Sequence, residues 1–187
     1  MNDMTIDNVI DVLADFAEPF IGKCEQAQAN RVPMDKGQFC ILTPLRFKRH
    51  STNREIKKDT GSPTTSAIGF TEVRQADIQV DIYGDNAGDR AIALETLFRT
   101  GYAYDLIKSI DERVAPLYSS EAIQTPMING ENQWQERYMV TVSLQVHITI
   151  DVPQDYFDKV HFTIEQVDEP TPNSVISAAV IAAPAAI

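Results

Sequence analysis

The chain has 187 residues, 43% of them hydrophobic and 23% charged, which is enough for one full hydrophobic core in one globular domain. Its formal net charge of −11 argues against a generic nucleic-acid binder, because such proteins attract a polyanion with clustered Lys and Arg. Residues 1–5 show no basic leader, and the apolar end at 175–187, broken by Pro184, falls short of the roughly 20 residues a membrane helix needs, so no membrane partner is expected.

In chain order, Ile6, Val9, Ile10, Leu13, Phe16, Ala17 and Phe20 recur at helical spacing, with Asp7, Asp11 and Asp15 on the other side. Thr5 reads as the N-cap, the early aspartates suit the helix dipole, and Pro19 should kink or end the helix before Gly22. Phe39, Ile41, Leu45 and Phe47 then read as a strand. Residues 46–58 are polar and 61–66 have loop composition. Alternation resumes at Phe70 and is clearest at Ala76, Ile78, Val80 and Ile82, with Asp77, Gln79 and Asp81 between them. That pattern predicts a buried face and a wet, acidic one.

A second helix is expected over 87–100 and a short continuation over 102–110, with Gly101 between them. Residues 114–125 read as extended, Asn129-Gly130 as a reversal, and 134–150 as a strand with Tyr138, Val140, Val142, Leu144, Val146, Ile148 and Ile150 on one face. Val160, Phe162 and Ile164 suggest a last strand after Pro153. The order of helix, two strands, helix and two to three strands fits an α+β fold, with helices packed on one face of a largely antiparallel sheet. The reading is one domain over 1–168 with a protruding hairpin or loop around 46–66. A Pro/Ala-rich arm follows over 169–187, which is either disordered or laid against a partner.

Several stretches invite a chemical reading. DIYGDNAGDRA, residues 81–91, has the outline of a phosphate loop, but Asp85 and Asp89 stand where an anion would bind and the Walker Lys is absent. Gly84, Asn86, Gly88 and Asp89 therefore read as a structural corner, with Asn86 and Asp89 as a variant capping box. His50, His147 and His161 have no ligand spacing. Carboxylate pairs occur at Asp77/Asp81, Glu131/Glu136 and Asp111/Glu112. A metal-dependent hydrolase or nuclease built on Asp77 and Asp81 is the enzymatic alternative, although solvated faces explain such pairs in so acidic a chain. Cys24 and Cys40 match no zinc or redox motif and read as reduced, buried thiols of a cytoplasmic protein. No nucleophile elbow, resident cofactor or resident metal is expected.

Arg46, Lys48, Arg49, Arg54, Lys57 and Lys58 place six of sixteen basic residues within thirteen positions. The segment is either a solvated hairpin extension or an arm that docks on an acidic neighbour, including another copy of this chain. Nucleic-acid contact ranks lower, since Phe47 alone supplies an aromatic there.

Taken together, QFCILTPL (38–45) with STN (51–53), VDIYGDNAGD (80–89), VAPLY (114–118), NGE (129–131), ERY (136–138) and VPQDYF (152–157) resemble the neck or tail terminator proteins of tailed bacteriophages. The resemblance runs in order from about 4 to 167, and the end beyond Pro170 has no counterpart in it. It implies a structural virion protein of the neck, present in the host cytoplasm during assembly. Such proteins form rings, usually six-fold, that cap the tail tube, contact sheath proteins where present, and receive the head connector or collar. DNA then passes without sequence-specific binding, and Asp77 and Asp81 would line the bore or a subunit seam. A small monomeric adaptor remains the third reading.

Overall fold

Two long strands, β4 (Ala67–Tyr83) and β9 (Arg137–Pro153), pair antiparallel from Ala67 opposite Pro153 to Tyr83 opposite Arg137. They are seen in a computed structural model that describes residues 3–28, 35–62, 64–157 and 159–163. Ala76, Ile78, Val80 and Ile82 share one face with Val140, Val142, Leu144 and Val146, and all eight are fully buried. A period of two against a covering layer produces this pattern.

On the other side of β4 lies β2 (Phe39–Arg49), and β1 (Lys23–Gln26) joins β2 in parallel. Past the end of β2, β3 (Arg54–Lys58) continues along β4. The far edge of β9 takes β5 (Val114–Ser119) and then β6 (Ile123–Gln124). β7 (Met127–Ile128) and β8 (Trp134–Gln135) form a separate hairpin, in which Asn129 Oδ1 accepts the Glu131 and Gln133 N–H groups.

Three helices supply the covering layer: α1 (Ile6–Ile21), α2 (Ala87–Phe98) and α3 (Gly101–Ile110). Thr5 caps α1 in a reciprocal box with Asn8, and Val9, Leu13, Phe16 and Ala17 are buried while Asp7, Asp11 and Asp15 face outward. Phe16 meets Phe98 of α2 edge-on at 5.9 Å. Pro19 sits in the last turn, where it has no N–H to give the Asp15 carbonyl, and α1 ends two residues later with Gly22 N–H donating to Glu18 O. No basic residue lies in that last turn. Arg90 of α2 donates instead to the Ile21 carbonyl, and also to the Tyr83 carbonyl at 2.6 Å, which ties α1, α2 and β4 at one point.

The result is the α+β architecture expected, with four departures. The register of β2 slips between Pro44 and Arg46, because Pro44 has no N–H to give to the ladder. Before this bulge Cys40 and Leu42 face the helices, opposite Ile82 and Val80, and Phe39 and Ile41 do not. Phe39 is buried on the opposite face, stacked on Tyr83 at 4.8 Å. Second, Asn86 makes no side-chain cap. Its backbone is left-handed (φ 59°, ψ 30°) rather than the extended form from which a cap reaches the helix N–H groups, so the expected capping box is absent.

Third, β1 and β2 place Cys24 directly opposite Cys40, and the structure joins them as a disulfide with 4.8 Å between Cα atoms, in place of two separate thiols. Fourth, residues 159–163 form no strand, and Val160 and Phe162 have no ladder partner and are exposed; Ile164 and the whole of 169–187 lie outside the described residues. Residues 1–156 form one compact unit, and the second begins at Phe157.

The chain turns tightly between β4 and α2. Gly84 has φ +92°, Ala87 N–H donates to its carbonyl, and a Cβ there would sit 2.1 Å from the Gly37 carbonyl oxygen. Gly88 lets α2 pass Tyr138, whose ring would lie 3.0 Å from an added Cβ, and Asp89 stands in the first turn of α2. Gly84→Ala should destabilise the fold by more than about 2 kcal/mol, since strain and a backbone collision add. Gly61→Ala (φ +78°, open space) should cost only about 1 kcal/mol. Chemical denaturation of the two variants side by side measures the difference.

Candidate functional site

The sheet face turned away from the helices carries the acidic residues singled out above, and it is not wet. Asp77 is 3% exposed and Asp81 4%. The bulge in β2 sets Arg46 opposite Asp77, where its Nε donates to Oδ2; Ser143 Oγ–H and Gln75 Nε2–H donate to Oδ1, both at 2.6 Å. Arg137, at the start of β9, reaches Asp81 Oδ1 with Nε at 3.1 Å and Nη2 at 2.9 Å, while Gln79 donates to Oδ2. The Arg137 guanidinium also lies over the Tyr83 ring. This face is therefore a ladder of neutralised carboxylates and amides, half-covered by its own side chains.

Such a face leaves little for catalysis. A general base or a metal needs free carboxylate lone pairs, and here arginine, amide and hydroxyl groups take them. Among the described residues no three His, Cys, Asp or Glu side chains gather as a metal site. His147 bonds Gln145 and His50 bonds Gln75, each at 2.9 Å. Asp111 pairs with its near neighbour Arg113, not with Glu112. No described helix is long and apolar enough to cross a membrane.

The basic segment is not a loose loop. Arg46, Lys48 and Arg49 end β2, Arg54, Lys57 and Lys58 belong to β3, and both strands pair with β4. Half of its charge is used within the subunit: Arg46 on Asp77, Arg49 on Glu72 at 3.0 Å, and Lys58 on Asp151 at 2.7 Å. Lys48, Arg54 and Lys57 meet no carboxylate among the described residues, so the available cations are these three. An open cleft of about 310 Å³ lies at the end of this ribbon between Lys57, Lys58, Ile68, Gln154 and Tyr156.

Sequence reasoning found the carboxylates and the cations but not their pairing. Arg137 was missed, and nothing short of the β4–β9 register would have placed it on Asp81. A further cluster was also missed: Arg99 clamps the Ser119 hydroxyl and carbonyl and covers Tyr118, beside the exposed Leu117 and Ile123 on the β5–β6 edge.

A family model described as phage neck terminator protein matches residues 7–168, most of the chain. Comparison with curated proteins finds no match.

Burial pushes the Asp77 carboxyl up, but hydrogen bonds from Ser143, Gln75 and Arg46 outweigh it and hold its pKa below the ordinary value. A carboxylate held lower in the folded than in the unfolded chain stabilises above the unfolded pKa, near about 4, and that contribution is lost as pH falls through the folded value. Asp77→Asn should therefore flatten the fall of Tm below about pH 4. Arg137→Ala, which strands the Asp81 carboxylate, should cost roughly 1–3 kcal/mol at neutral pH. Thermal melts across a pH series check both.

Proposed function

The chain belongs to the phage neck terminator proteins, structural components of the virion neck, and from that premise we propose that it is a ring-forming subunit that caps the tail tube and presents the surface to which the head connector or collar binds. Six copies are the proposed number, with sheath proteins as neighbours if the tail contracts. The family match over 7–168 carries this reading. The spent carboxylates of Asp77 and Asp81 agree with it, because a scaffold needs no reactive centre.

Two surface properties support the assembly role. A ring of head-to-tail contacts needs two different, complementary patches on each subunit. Lys48, Arg54 and Lys57 offer cations that meet no carboxylate among the described residues, on a chain whose net charge is −11. The outward face of α1 offers Asp7, Asp11 and Asp15. The same acidity suits a wall past which DNA slides without adhering. Of the two places considered for Asp77 and Asp81, neutralisation by Arg46 and Arg137 favours a subunit seam, since repelling DNA would require free charge.

Electron microscopy of the purified full chain should show closed rings with an opening wide enough for duplex DNA. Glu substitutions at Lys48 and Arg54 together should shift the protein toward monomers at low salt, with less effect at high salt, where screening already weakens the contact. A wild-type protein that stays monomeric and binds neither tube nor connector would overturn the proposal.

A further inference from the structure

The β4–β9 ribbon is longer than the helix layer that covers it. Over 76–82 and 140–146 the helix-side residues are sealed; outward of these the alternation runs on through Ile148, Ile150 and Val152 on β9, while on β4 it is broken by Arg74 and Glu72 and resumes at Phe70 and Ile68. Ile148 still packs against the core, whereas Ile150 and Val152 beyond it are open on the helix side among the described residues. Ile150 is 47% exposed and Val152 45%. An apolar stripe that β9 carries beyond its own core, with Phe70 and Ile68 of β4 alongside, is shaped for a surface that another molecule brings.

The charges beside the stripe narrow the partner. Lys57 lies opposite Ile68 and Glu55 opposite Phe70, while Arg49 and Arg74 both pair with Glu72. On the β3 side of the stripe three cations stand against two carboxylates, a local positive surplus on a strongly acidic chain. A complementary surface exists on the body of the same protein. Asp7, Asp11, Asp15 and Glu18 are exposed along α1, which has no basic residue, and beside it Tyr102 of α3 packs edge-on against Phe20 while itself remaining 53% exposed.

Resting on the ring reading above, we propose that the helix-side face of the outer β4–β9 ribbon is the seat of a second copy of this chain, which lays its α1–α3 outer surface over Phe70, Ile150 and Val152 and offers Asp11 and Asp15 to Lys57. The ribbon projects from one part of the subunit and the helices lie on another, so the contact is heterologous and propagates from copy to copy. It gives the apolar stripe a dry cover and places the acidic helix stripe against Lys57, which meets no carboxylate among the described residues.

Light scattering on the full-length protein at near-physiological salt tests this. Ile150→Glu should abolish the ring mass, with far-UV circular dichroism and Tm unchanged because the site lies outside the core. Lys57→Glu should weaken association roughly tenfold, and adding Asp15→Lys to it should restore the ring by reversing both charges. A ring-forming wild type whose assembly is indifferent to Ile150→Glu overturns this inference and leaves the ring reading standing. A Lys57→Glu, Asp15→Lys pair that stays dissociated while Asp15→Lys alone assembles normally removes α1 as the covering surface. A wild type that forms no ring overturns both readings.

Discussion

The architecture depends on the continuous pairing of β4 with β9. Seventeen-residue strands held in one register, with no bulge between them, behave as a stiff twisted ribbon, and each remaining element is placed by where it meets that ribbon. Its inner half is roofed by α1, α2 and α3 and becomes the core. Its outer half has β3 along one edge, and on the other edge Asp3 exchanges hydrogen bonds with Thr149. One pair of strands thus supplies a globular body and a projecting surface from the same alternating sequence.

The electrostatics follow from the same register. Asp77 and Asp81 sit two pleats apart on the face away from the helices, where burial of a bare carboxylate would be costly. Arg46 and Arg137 come from the strands on either side of β4, so both neighbours of the central strand contribute to its neutralisation. The negative charge of the chain is left mainly to loops and to the outside of α1. That division suits a component that joins to others, because neutral polar faces pack closely while residual charge steers approach and excludes wrong partners.

Much of the fold was legible because its signals are local. Thr5 as the cap, the spacing from Ile6 to Phe20, and the alternation over 76–82 and 138–150 each need only a short window of sequence. What was not legible depends on pairing across long separations. The spacing of Phe39, Ile41, Leu45 and Phe47 marks a strand but not that its apolar phase inverts at Pro44, so it does not tell which face Phe39 and Ile41 take. The opposition of Cys24 and Cys40 requires knowing that β1 adds to β2 in parallel, which no local pattern encodes. Val160 and Phe162 carry strand composition, yet a strand needs a ladder partner as well as propensity, and none is present in the described residues. The candidate site was half legible for the same reason: charged residues are visible in sequence, and whether they are already spent is not.

The bulge at Pro44 acts as a phase inverter in the edge of the sheet. Upstream of it even-numbered residues look into the core, and downstream odd-numbered ones do, so Phe47 packs inward and Arg46 does not. Loss of the bulge at unchanged chain length would pair Leu45 with Asp77 and turn every side chain beyond it over, carrying Phe47 off the core face and Arg46 away from Asp77. Relatives of the same length that lack the bulge must therefore carry the opposite hydrophobic parity through the rest of that strand, whereas a one-residue gap at Leu45 removes the bulge and leaves the facing beyond it unchanged.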